Sequence, residues 1–305
     1  MLDQPPLQSR ILSTPNRAGG WNHPSLSALV GAGGGGGGFS AEPELSAWVA
    51  RVQGRGSNVT GTGVQTAVGN LIIGLKTDLL WDMAWRIGVY AGDALAALEA
   101  PLLISAADVA TDTLTGFVAG DYTSTGLVGG AGKRILTGFN WWLPPVYSTP
   151  NPLLNINSFS IGLYTRTATA AGAVQMGTQQ AGNAASGCYL SHDASTVNAE
   201  MWDITAGVSV ADASGVGFYL LSRTASNALK LYKNGSQIGS TSTSPGGAVN
   251  GFSFAVHDGN LSNSAWAPTS QSICFYWIGK GLDATQAANL RTRVQTLQTA
   301  LSRQV

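Results

Sequence analysis

Apolar and polar positions change their rhythm about a third of the way along the chain. Between residues 40 and 104 apolar side chains recur every three or four positions. In "SAEPELSAWVARVQG" this spacing puts Leu45, Trp48, Val49 and Val52 on one side of a helix, with Ser40 as N-cap, Pro43 in the first turn and Gly54 at the close. "TGVQTAVGNLIIGLKTDLLWDMAWRI" gathers Val64, Val68, Leu71, Ile72 and Leu75 on one face of a second helix. "AGDALAALEAPLL" predicts a third, capped by Gly92 or Asp93 and stopped before Pro101. Residues 40–104 therefore read as a small helical subdomain.

From about residue 111 the period drops to two. "NSFSIGLYTRT", "SGCYLSHD", "AEMWDI", "VGFYLLSRT", "NGFSFAVHDG" and "SICFYWIGKGL" are short alternating runs separated by Gly, Asn, Ser and Thr, which predicts an antiparallel β-sandwich over residues 105–282. Within it, "LKLYKNGSQIGS" specifies a hairpin: Leu229, Leu231 and Tyr232 lead into Asn234-Gly235, a pair suited to a type I′ turn, and Ile238 lies on the return. Over residues 283–305 the period returns to helical. Asp283 and Gln286 form a capping-box pattern, and Ala287, Leu290, Val294, Leu297 and Leu301 make one apolar stripe. So short a stripe predicts a helix packed on the sandwich or on the helical subdomain rather than a coiled coil.

Residues 1–39 show no sustained period. Four prolines (Pro5, Pro6, Pro15, Pro24) and scattered apolar anchors describe an extended arm that ends in "LVGAGGGGGGFS". The glycine run formally matches G-x-G-x-x-G at Gly31, Gly33 and Gly36. A dinucleotide site also needs an acidic residue about 20 positions on, and residues 46–77 contain no Asp or Glu. The run is a mechanical joint. Leu7, Ile11, Leu12 and Trp21 of the arm, together with Trp141 and Trp142 before "LPP", are the residues expected to bind partners.

Composition narrows the functions further. Charged residues are only 10% of the 305, against about one quarter in an ordinary soluble domain, and 16 Lys and Arg balance 16 Asp and Glu. No field attracts nucleic acid, and no window reaches the roughly 18 apolar residues of a membrane span. The N-terminus lacks the basic start and apolar stretch of a secretory signal, so none is expected. Cys188 and Cys274 lie in alternating apolar segments and read as buried small hydrophobes, a single disulfide being the alternative.

Catalytic chemistry finds little support. Glu200 and Asp203 are the only close acidic pair of the sandwich, and odd spacing on a strand puts them on opposite faces, unsuited to glycoside hydrolysis. No G-x-S-x-G elbow accompanies His23, His192 and His257. No catalytic residue and no organic cofactor is assigned. Tyr189, Trp202 and Trp266, near predicted loops, are the candidates for stacking on sugar rings.

Three stretches carry a family resemblance. "SFSIGLYTRT", "FYLLSRTASNALKLYKNGSQIGS" and "FYWIGKGLDATQAANL", with "DYTSTGLVGGAGKRILTGFNW" before them, occur in the order of strands, Y-x-N-G hairpin and final strand-to-helix passage that resembles concanavalin A-like jelly rolls, specifically the laminin-G-like domains of bacterial and phage proteins. The resemblance implies a mainly β fold and, in some members, a Ca²⁺ site at the sandwich rim, for which Asp193, Asp258 and Asn260 are the matching oxygen donors here. It lacks the E-x-D-x-x-E strand of the family's hydrolases. The expectation it suggests is a non-enzymatic bacteriophage virion protein of the capsid or tail, assembled in the host cytoplasm, anchored to other virion proteins in a homo- or hetero-oligomeric assembly. A carbohydrate-binding adhesin recognising a host-surface glycan is the alternative, and a glycan hydrolase the third.

Overall fold

The computed structural model describes residues 42–105, 111–140, 155–168, 172–202, 206–242 and 250–305. Among them the chain forms two nine-stranded sheets packed face to face, a mainly β, antiparallel sandwich of jelly-roll type. The first sheet runs in the order Ser236–Thr241, Ala228–Lys233, Gly217–Ala225, Phe159–Thr165, Ser272–Gly279, Ala84–Val89, Leu103–Ile104. The second runs Val208–Ala211, Thr196–Met201, Asn183–His192, Ala173–Gln180, Ala255–Val256, Arg134–Leu136, Thr113–Thr115. These strands pair antiparallel; the short strand Gly259–Leu261 instead lies parallel beside Ala173–Gln180.

The two sheets differ in what covers their outer faces, and the sequence pattern follows from this. Phe159–Thr165 is buried at every position. Phe159, Ile161 and Leu163 point between the sheets, whereas Tyr164 points outward to a second core formed with three helices, α1 (Pro43–Gly54), α2 (Thr62–Thr77) and α3 (Ala284–Ala300). A register irregularity between Ile273 and Phe275 puts Cys274 and Phe275 both on the helix side, with Ile273, Tyr276 and Ile278 in the inter-sheet core. Thr196–Met201 of the second sheet instead alternates: Val197, Ala199 and Met201 are buried, Asn198 and Glu200 partly exposed. One face of that strand is packed and the other meets solvent.

The predicted helical subdomain is corrected. α1 and α2 form, but "AWRIGV" becomes strand Ala84–Val89, "LAALE" becomes a short 3₁₀ turn at Leu95–Glu99, and Leu103–Ile104 is an edge strand. All six residues of Ala84–Val89 are buried, because the strand lies inside the first sheet with the helices on one side and the second sheet on the other. Residues 40–104 are thus part of the sandwich, within a compact unit that spans Ser40–Val305. The N-cap of α1 is Glu42, not Ser40.

Two local expectations hold. Asn234 and Gly235 take φ of 50° and 82°, as a type I′ turn requires, and the Asn234 side chain accepts the Phe218 amide at 2.9 Å. Asp283 accepts the Gln286 amide while Gln286 accepts that of Asp283, both at 2.9 Å, completing the capping box of α3. Cys188 and Cys274 are free thiols in different cores, Cys188 between the sheets and Cys274 under the helices.

Candidate functional site

The outer face of the second sheet, largely buried along Ala173–Gln180 but meeting solvent along the alternating strand Thr196–Met201, carries a groove of about 200 Å³. Its floor follows from the register. Val174, Ser191, Asn198 and Ser209 form one cross-strand row, and Gly177, Tyr189 and Glu200 the next. Odd and even positions of a strand point to opposite faces, so Tyr189, Ser191 and Asp193 point outward while Cys188 and Leu190 enter the core. Asn198 reaches Asp193 at 3.5 Å across the turn.

Trp266 closes the groove. Its ring lies edge-to-face with Tyr189, centroids 4.9 Å apart at 89°. Glycines make room for this pair: a Cβ at Gly259 would stand 2.6 Å from the Trp266 ring, and one at Gly177 2.3 Å from the Tyr189 Cβ. Asp258 fixes the loop that carries the tryptophan. One of its carboxylate oxygens accepts the backbone amides of Gly259, Trp266 and Ala267 at 2.7, 3.0 and 2.8 Å. Burial raises its pKa, opposed by those three amides. Tyr189 is held from the other side. Its phenol has its pKa raised by burial and by a hydrogen bond with the Glu200 carboxylate. Gly207 leaves space for that glutamate, since a Cβ there would lie 2.5 Å from the Glu200 Cγ. His192 also lines the groove; it is buried against Tyr219, and burial lowers its pKa.

The predicted site residues separate into three groups. Tyr189, Trp266 and Asp193 meet in the groove. Trp202 does not: it is fully buried, donates its indole N–H to the Ile156 carbonyl at 3.1 Å and packs on Phe159, so it belongs to the core and its reading as a sugar platform is overturned. Asp258 and Asn260 are also buried, the first bound to the loop amides and the second donating to the Ser253 carbonyl at 2.7 Å. Among the described residues no three acidic, His or Cys side chains cluster where they could hold a metal ion. Leu7, Ile11, Leu12, Trp21, Trp141, Trp142 and Asp203 lie outside the described residues. Ser191 and Asn198 were missed by the sequence reading. Their signal was the alternation of "TVNAEM" and "CYLSHD", which places both on the outward face.

No family model matches the chain, and no curated protein matches it. Solved structures do match. The binding domain of botulinum neurotoxin serotype D is similar over 69% of this chain and 52% of that one, at 11% identity and a TM-score of 0.45. The CBM40 of the Ruminococcus gnavus IT-sialidase, bound to α2,3 sialyllactose, is similar over 43% of this chain and 81% of that one, at 16% identity and a TM-score of 0.36. The NanB sialidase of Streptococcus pneumoniae is similar over 44% of this chain, at 13% identity and a TM-score of 0.37, and the match spans only 24% of the sialidase.

Proposed function

We propose that this protein is a non-catalytic carbohydrate-binding protein whose site is the groove on the outer face of the second sheet. The observation that carries the reading is the convergence, on an otherwise ordinary sheet face, of an edge-to-face tryptophan–tyrosine pair with a carboxylate, an amide and a hydroxyl. A sugar presents both complements: an apolar C–H face that packs on an aromatic ring, and hydroxyls that donate to Asp193 and exchange hydrogen bonds with Asn198 and Ser191. Binding rather than hydrolysis is favoured because Glu200 is committed to the Tyr189 phenol and supports the platform. The place of this protein in a bacteriophage particle rests on residues 1–39 and on Trp141 and Trp142, outside the described residues, and enters only as a setting in which such a binder could be carried. Titration of the full chain against an array of oligosaccharides tests the function. At least one should bind, and Trp266→Ala should weaken that binding about tenfold or more with the melting temperature nearly unchanged. Absence of binding across the array would reject the proposal.

A further inference from the structure

The charges around the groove restrict what it can accept. None of the residues lining it is Lys or Arg, while Asp193 is on its wall and Glu200 beside Tyr189. Two cations act on its surroundings from outside the lining. Arg134, which acts electrostatically on Asp258, donates to the Asn263 carbonyl at 3.0 Å. Lys233, which acts on His192, is bound by both oxygens of Asp212 at 2.7 and 2.9 Å. Burial lowers the pKa of His192, against the pull of Asp212 and Asp193. By sequence, the internal segments outside the described residues (106–110, 141–154, 169–171, 203–205 and 243–249) add no Lys or Arg, and residues 1–41 carry Arg10 and Arg17.

An anionic sugar bound here would bring a carboxylate or sulfate toward two carboxylates, with no Lys or Arg among the described lining residues to offset the cost. Sites built for anionic groups supply an Arg fork, a Lys, or a cluster of backbone amides. The amides of Gly259, Trp266 and Ala267 that might have served are already taken by Asp258. A neutral sugar incurs no such penalty, and its hydroxyls are donors that suit Asp193. We infer that the groove selects uncharged saccharides and rejects those carrying sialic acid, uronic acid or sulfate.

This inference rests on the carbohydrate-binding reading, and matched probes keep the two failures apart. The full-length chain is titrated with pairs of oligosaccharides sharing a neutral backbone, one member plain and the other sialylated, sulfated or carboxylated, such as lactose and 3′-sialyllactose. The expected result is that every bound pair favours the neutral member by about tenfold or more at low ionic strength, a gap that narrows toward about 0.5 M salt. Asp193→Asn should narrow it at all salt concentrations, and Asp193→Lys should reverse it for some pairs. Asn198→Ala, which leaves the charge intact, should weaken both members alike. Anionic members binding as well as or better than neutral ones would overturn the charge selection and leave glycan binding standing. Binding to neither class would overturn both, and so would neutral-sugar binding that survives Trp266→Ala and Asn198→Ala in folded protein.

Discussion

At the residue scale, the groove depends on buried groups that never touch a ligand. Asp258 is the clearest. Replacing it with Ala leaves three backbone amides without their acceptor, at a cost of about 2–4 kcal/mol in stability, and frees the loop that positions Trp266. Chemical denaturation should register the first effect and glycan titration the second; an Asp258→Ala variant with unaltered glycan affinity would show that the loop holds itself. His257, the neighbouring residue, has a different liability. It is fully buried between Tyr90 and Phe117, with φ of 69°, and burial drives its pKa down to about 3. Because the folded value lies below the ordinary 6.5, its contribution is intact above pH 6.5 and is lost as pH falls toward 3. By pH 4.5 the unfolded chain has gained about 3 kcal/mol over the folded one from this group. Asp112 acts in the opposite sense. Burial lifts its pKa to about 6, against the pull of Arg86 and Tyr276, so its contribution is present at the acid end and is lost as pH rises through 6. Only a difference measurement separates them. The stability deficit of His257→Asn, a residue that tolerates positive φ, should shrink by about 3 kcal/mol between pH 7 and pH 4.5. A pH-independent deficit would mean that the histidine titrates in the folded protein as it does in the unfolded chain.

At the scale of elements, the sequence was most legible where one local signal decided the structure. The Asn234-Gly235 turn and the Asp283 cap are of this kind: each is complete within a few residues, and both formed as read. Ala84–Val89 shows why other elements were hidden. Its residues are buried on both faces, so no alternation marks it as a strand, and the preceding α2 pattern runs into it without a break. Its one charge, Arg86, would argue against a central strand. The charge is accommodated by Asp112, bound at 2.7 and 3.0 Å, which is 26 positions away and beyond the reach of any local pattern. The same limit applies to the groove: Tyr189 and Trp266 were each visible as candidates, but their meeting depends on Gly177, Gly259 and Asp258. α3 offers a test of how elements are fastened. Leu290 is fully buried against the first sheet's helix layer, while Asp283 caps the helix from a surface position. Leu290→Ala should cost about 2–5 kcal/mol and Asp283→Ala about 1 kcal/mol. Similar losses in equilibrium denaturation would mean that the helix is held by its end rather than by its buried stripe.

At the scale of the whole molecule, the sandwich is asymmetric, and the asymmetry locates the site. α1, α2 and α3 occupy the outer face of the first sheet, where Tyr164, Phe218, Leu220, Tyr232, Phe275 and Trp277 join Trp48, Leu71, Leu290 and Val294 in one core. That face is closed to any ligand. The outer face of the second sheet meets solvent along Thr196–Met201, and there Asn198 and Glu200 stand beside Ser191 and the aromatic pair. Among the described residues, both cores and the groove lie within one compact unit, Ser40–Val305. A chain starting at Ser40 should therefore fold with a melting temperature within about 4 °C of the full chain, the shift that roughly 1 kcal/mol produces in a domain of this size. It should also bind the same glycans with unchanged affinity. Calorimetry and titration on the two chains side by side decide the matter. A truncated chain that melts normally but binds weakly would assign residues 1–39 a share in the groove. One that fails to fold would make the glycine-rich segment part of the core architecture rather than a joint to something else.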